Sequence, residues 1–138
     1  MSTVLLFGTF DFLHSGHLHA FLGAKKHADK LVVCVARDSA VTEIKGTAPI
    51  HFEEERLALV QHIDIVDSAC LGDTAQGVYS VIGEVNPDVI ALGYDQHELK
   101  QSLTTFLAER GLSIPLVTLG AYGQGQMKSS TKKASLGL

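Results

Sequence analysis

The chain is short of cysteine, of basic charge and of long apolar runs, and each shortage removes a class of function. Cys34 and Cys70 are its two cysteines. Neither belongs to a C-x-x-C pair, so nothing points to zinc, and nothing suggests a disulfide framework. Each reads as a small buried hydrophobe within, or closing, an apolar run. Lys and Arg number 11 against 15 Asp and Glu, a net charge of −4. Nucleic-acid binders usually carry a basic excess, so nucleic acid is not the expected partner. No apolar run approaches the ~20 residues that span a bilayer, and no basic segment followed by a signal-like apolar core stands at the start. The expectation is a cytoplasmic protein with no membrane partner. Internal repeats and domain linkers are missing too, and no serine or cysteine is placed with a base as a covalent nucleophile.

What remains is 138 residues, 46% hydrophobic and 19% charged, the composition of one soluble globular domain. Apolar runs at 3–8, 30–38, 67–72, 88–93 and 114–120 read as strands. Segments 15–29, 52–64, 75–86 and 97–111 read as helices between them, and a last short helix is expected near Ser129. In the first helix Leu18, Phe21, Leu22 and Lys25 follow helical spacing, with Ser15 as N-cap. Asn86-Pro87 and Gly111 close two of the others. Residues 39–52, with Gly46 and Pro49, read as a long loop. Strand and helix alternate, and the strands are continuous rather than alternating apolar runs. The expected fold is therefore α/β: a single-domain, Rossmann-like, doubly wound five-stranded parallel sheet over residues 1–138. Ligands in such sheets bind beyond the carboxyl ends of the strands, at the switch point. Segments 8–17, 37–51, 93–97 and 120–131 leave those ends and should converge on one cleft.

The segment "GTFDFLHSGH" (8–17) places His14 and His17 at the mouth of a helix. Gly8 is expected to let the chain turn tightly against a ligand. A helix start offers unpaired N–H groups and the positive end of a dipole, a natural anion site. Imidazole N–H groups can donate to phosphate oxygens there, more strongly when protonated, and Gly16 keeps the approach open. The pattern is aimed at a polyphosphate. His19 lies on another side of the helix and reads as surface, while His27, His51 and His62 carry no signal. A metal site built from His14, His17 and His19 would lack a supporting carboxylate cluster.

The same segment resembles the cytidylyltransferase-like nucleotidyltransferase superfamily, marked by a strand, G-x-F-D and then H-x-G-H. "VARD", Lys45, "EEERLALV" and "IALGYDQH" follow in the order of that family. "LGYDQH" looks most like the archaeal-type FAD synthases, which transfer AMP from ATP to FMN. The resemblance implies that His14 and His17 stabilise the α-phosphoryl group and the leaving pyrophosphate, and that Lys45 neutralises the phosphates. It implies that Thr9 and Phe10 hold the nucleotide through their backbone. Ser15, Gly16 and Tyr122 join the nucleotide contacts. Arg56 matches a family arginine, with a solvated helix residue as the alternative. Gly93 and Asp95 would line the ribose and base pocket, unless Asp95 merely caps the helix near His97. Ser130 and Thr131 match a closing element over the phosphates. Mg²⁺ would arrive with the triphosphate, no resident metal ligands are expected, and the family implies a homodimer. The closing element departs from the cytidylyltransferase pattern. Gln124, Gly125 and Met127 stand where Arg-Thr and a glycine are expected, and Lys128 could replace the arginine only as a point charge. This disfavours the nearest rival, a CTP-dependent enzyme acting on glycerol 3-phosphate. A nucleotide sensor without turnover is the rival from another class. It would have no use for groups that stabilise a leaving group.

Overall fold

The computed structural model describes residues 1–120. Five strands, β1 (Thr3–Gly8), β2 (Lys30–Val35), β3 (Ser68–Leu71), β4 (Val89–Leu92) and β5 (Leu116–Thr118), form one sheet in the order β3-β2-β1-β4-β5. All four pairings are parallel, as the uninterrupted apolar runs predict. Successive residues point to opposite faces, and both faces are buried. Val4 and Leu6 of β1 join Leu31, Val33 and Val35 of β2 in one core, while Leu5 joins Val32 and Cys34 in the other. Helices α1 (Ser15–Lys25) and α3 (Glu53–Gln61) cover the first face with Phe21, Ala24 and Val60. Helices α4 (Ser80–Val85) and α5 (His97–Glu109) cover the second with Val81, Ile82, Leu103 and Leu107.

Three local expectations are corrected. Segment 39–52 is not one loop: α2 (Asp38–Lys45) occupies its first half. It carries Asp38 in its first turn and Lys45 in its last, and ends on Gly46, whose φ of 80° is left-handed and whose N–H donates to Thr42 O at 2.8 Å. Val41 is its one buried residue, which is why the apolar pattern missed it. The first helix stops at Lys25, and its buried residues are Phe21 and Ala24, with Leu18 and Leu22 exposed. Only Ser80–Val85 of the 75–86 segment is helical, because Gly77 (φ 78°) and Tyr79 (φ 48°) are left-handed before it. Asn86 (φ 55°) then ends the helix ahead of Pro87, as expected. The helix anticipated near Ser129 lies outside the described residues.

β1 and β4 are neighbours at the centre of the sheet, but chain order reverses between them. The segments after β1 and β4 therefore leave the same edge side by side, and this is the switch point.

Candidate active site

The opening of α1 explains the three-residue spacing of its histidines. The N-cap is His14, not Ser15. Its Nδ1 accepts the Gly16 N–H at 3.0 Å, and the Nδ1 of His17 accepts the His14 N–H at 3.3 Å. This is the reciprocal logic of a capping box, with histidines at N-cap and N3 in place of the usual hydroxyl and carboxylate. Each Nδ1 must be unprotonated to accept, so each neutral ring carries its proton on Nε2. Neither Nε2 has a partner among the described residues. The cap thus sets two N–H donors at the positive end of α1, on rings tilted by 33° with centroids 4.1 Å apart.

Both rings resist protonation. Burial lowers the pKa of His14. Burial, then the charges of His14 and Lys45, lower that of His17 from 6.5 to about 4, with Asp11 pulling the other way. The free site therefore holds neutral donors at pH 7 rather than imidazolium. Phe10 supports them: its ring meets His17 edge-on at 5.4 Å and packs on Phe21 at 5.2 Å. The φ of Phe10 is 56°, as is that of Phe12, a left-handed backbone that costs about 1–3 kcal/mol per residue and is typical of functional turns. Gly8 serves this packing rather than a tight turn. A Cβ there would stand 2.5 Å from the Phe10 ring.

The second segment is tied to the first by two residues. Asp11 accepts the Ile50 and His51 N–H groups at 2.7 and 3.0 Å. Burial alone would raise its pKa, but these two bonds and the charges of His51 and Arg56 hold it below the ordinary carboxylate value. Arg56 is fully buried, not a solvated helix residue. Its guanidinium donates to His51 O (2.9 Å), Thr9 O (2.7 Å) and Asp38 Oδ1 (2.8 Å). It offers no surface to a nucleotide and acts by joining the first motif, α2 and the start of α3. Thr9 accordingly gives its carbonyl to Arg56. The amides of Thr9 and Phe10 have no partner among the described residues. Lys45 is exposed on the last turn of α2, near enough for its charge to act on His17.

The third segment, after β4, turns at Gly93, Tyr94 and Asp95 into α5. Asp95 is exposed. It does not cap α5, whose N-cap is Gln96 without a side-chain cap bond. Instead the Gln96 side chain binds Gly93 N–H and Phe7 O, joining this segment to the first. Three of the four anticipated segments therefore meet at one sheet edge. Ser15 is exposed at the mouth of α1 and Gly16 is half-buried. Tyr122, Ser130 and Thr131, with the fourth segment beyond Gly120, lie outside the described residues. Sequence reading missed Asp11, Asp38, His51 and Gln96. Asp11, Asp38 and Gln96 lay inside quoted motifs, whereas nothing in the sequence marked His51.

The cytidylyltransferase-like family model matches residues 5–132. The chain belongs to the cytidylyltransferase-like family. Among curated relatives of this family member is the FAD synthase of Thermoplasma volcanium, 41% identical over 95% of this chain and 90% of that one. The FAD synthase of Archaeoglobus profundus is 41% identical over 96% of this chain and 83% of that protein. That of Methanosarcina barkeri is 42% identical over 86% and 84%. Among solved structures, the lipopolysaccharide core biosynthesis protein from Thermoplasma volcanium GSS1 superposes with a TM-score of 0.80 at 38% identity, over 88% of this chain and 98% of that one. No helix among the described residues is long and apolar enough to cross a membrane.

Proposed function

We propose that this cytidylyltransferase-like protein is an FMN adenylyltransferase, transferring AMP from ATP to FMN with release of pyrophosphate. The paired Nε2–H donors of His14 and His17 carry the chemical half of this reading. The FAD synthase relatives, matched over most of both chains, carry the choice of substrates.

A phosphate oxygen of FMN attacks the α-phosphorus of ATP in line. The new bond joins that oxygen to the α-phosphorus, the bond to the bridging oxygen of the β-phosphate breaks, and pyrophosphate leaves with the electron pair. The nucleophile is already ionised at pH 7, so the protein needs no general base. Its contribution is positioning and electrostatic stabilisation. His14 and His17 donate to the charge developing on the α-phosphoryl and pyrophosphate oxygens. Lys45 adds positive charge from α2. Gly93 and Asp95 meet the ribose and base. Ser15, Gly16 and the backbone of Thr9 and Phe10 complete the nucleotide contacts, and Arg56 holds that backbone in place. Tyr122, Ser130 and Thr131 remain proposed contacts on sequence grounds.

Mg²⁺ fits this site as an ion carried by the nucleotide. Among the described residues no three His, Cys, Asp or Glu side chains stand together as a ligand set. Asp11 commits both oxygens to backbone N–H groups. The ion would then keep its waters, bind through the phosphates and partly neutralise them. A homodimer of cytoplasmic protein is the assembly and location we propose.

The reading is tested by incubating the protein with each nucleoside triphosphate and a panel of phosphorylated acceptors, and assaying pyrophosphate. ATP with FMN should release it. Efficient turnover of CTP with glycerol 3-phosphate, and none of ATP with FMN, would overturn the choice of substrates.

A further inference from the structure

We propose that Gln96 is a positioning residue that fixes the mouth of the cleft and, through it, the choice of nucleobase. The second half rests on the assignment of the Gly93–Asp95 turn to the ribose and base.

Two strands part at the mouth of the cleft. β1 and β4 pair only as far as Leu6 and Ala91. Beyond that rung β1 continues against β2 through Phe7 and Gly8, and β4 continues against β5 through Leu92. The two strands flanking the cleft have lost each other as partners. The Gln96 carboxamide spans the gap: its Oε1 accepts the Gly93 N–H at 2.6 Å, and its Nε2 donates to Phe7 O at 3.3 Å. A primary amide offers a donor and an acceptor, as a peptide group does, so it supplies the missing rung. The two partners demand opposite ends of the amide, which settles its orientation.

Two observations separate this from ordinary helix capping. Gln96 stands at the N-cap of α5, where Ser, Thr, Asp or Asn would contribute most, yet its side chain makes no cap bond. Its backbone N–H also donates to Gly93 O at 3.1 Å, so the turn is closed twice by one residue. Gly93 fits the same design. A Cβ there would lie 3.3 Å from both Gln96 Oε1 and Asp95 Oδ1, close enough to crowd the bridge and the carboxylate. Tyr94 and Asp95, both exposed, therefore project from a base whose distance to β1 is set by one side chain.

Gln96→Met keeps the length of the side chain and removes donor and acceptor. Three quantities are read: hydrogen exchange of the Gly93 amide without nucleotide, the ratio of Kd for CTP to Kd for ATP, and the thermal midpoint. The exchange should quicken about tenfold and the preference for ATP should fall about tenfold, the factor one hydrogen bond of ordinary net strength represents. The midpoint should move little. Unchanged Gly93 exchange refutes the bridge. Quicker exchange with an unchanged Kd ratio, or equal weakening of both nucleotides, reduces Gln96 to a structural role and overturns the proposal. Gln96→Asn, too short for both partners, carries the same expectations should the Met variant not fold. A wild-type protein that binds neither nucleotide refutes the site and the specificity claim with it. One that binds ATP but makes no FAD refutes only the acceptor.

Discussion

His17 must accept a hydrogen bond on one nitrogen and donate from the other, and this dual duty holds only for the neutral ring. Burial first, then the charges of His14 and Lys45, lower its pKa to about 4 in the free protein and keep the ring neutral, with consequences in two directions. Between pH 6.5 and about 4 the unfolded chain takes up a proton at this ring that the folded chain refuses, so stability should fall as pH drops through that window and be fully present above it. A triphosphate reverses the local balance by offering negative charge, so ATP should raise the His17 pKa. NMR titration of the ring checks both: a midpoint near 6.5 in the free protein, or no upward shift with ATP, contradicts the account. Removing either donor, in His14→Ala or His17→Ala, should lower kcat by about 10²–10³ with a much smaller effect on ATP affinity. Loss of affinity with kcat intact would leave only a binding role. Elsewhere, Cys34 and Cys70 face each other across β2 and β3. The neighbouring Cys34 thiol lowers Cys70 to about 7, while Cys70 and burial raise Cys34. Iodoacetamide should label Cys70 first, and equal labelling of the two would contradict this pairing. From the chain alone each cysteine reads only as a buried hydrophobe, because cross-strand register is invisible before the strands are paired.

The element whose nature the sequence concealed is α2. A single buried valine leaves no periodic signal, and Gly46 and Pro49 beyond it suggested a loop, although Gly46 is in fact the left-handed cap that ends the helix. Lys45 is therefore held on a helical turn, not carried on an irregular loop. The stretch that follows is pinned at its far end by Asp11. Asp11→Asn weakens two charge-assisted bonds, so exchange at the Ile50 and His51 amides should quicken, with a loss of about 1–3 kcal/mol in stability. Unaltered exchange at both amides would remove Asp11 from this role. Arg56 works at the same scale. The resemblance put it among the nucleotide contacts, with a solvated helix face as the alternative, whereas three acceptors from separate segments bring it inside. Arg56→Lys keeps the charge but cannot reach all three, and should cost about 3 kcal/mol in chemical denaturation while also reducing turnover. A stable, fully active Lys variant would contradict the tie.

Over the whole molecule, the parallel sheet was legible because five apolar runs, buried on both faces, leave few alternatives to helices above and below. Convergence of the segments after β1, β2 and β4 followed from the same rule. The ties that hold those segments together, from Asp11, Arg56 and Gln96, depend on distances across the sheet edge and could not be read from spacing along the chain. The account that joins these parts is direct transfer of AMP without a covalent enzyme intermediate. It is tested most directly by one single-turnover reaction of the protein with FMN and ATP labelled at the α-phosphorus. The account predicts that all transferred label appears in FAD, with an equal amount of unlabelled pyrophosphate and none on the denatured protein. Label retained on the protein, or released as AMP without FAD, would contradict it.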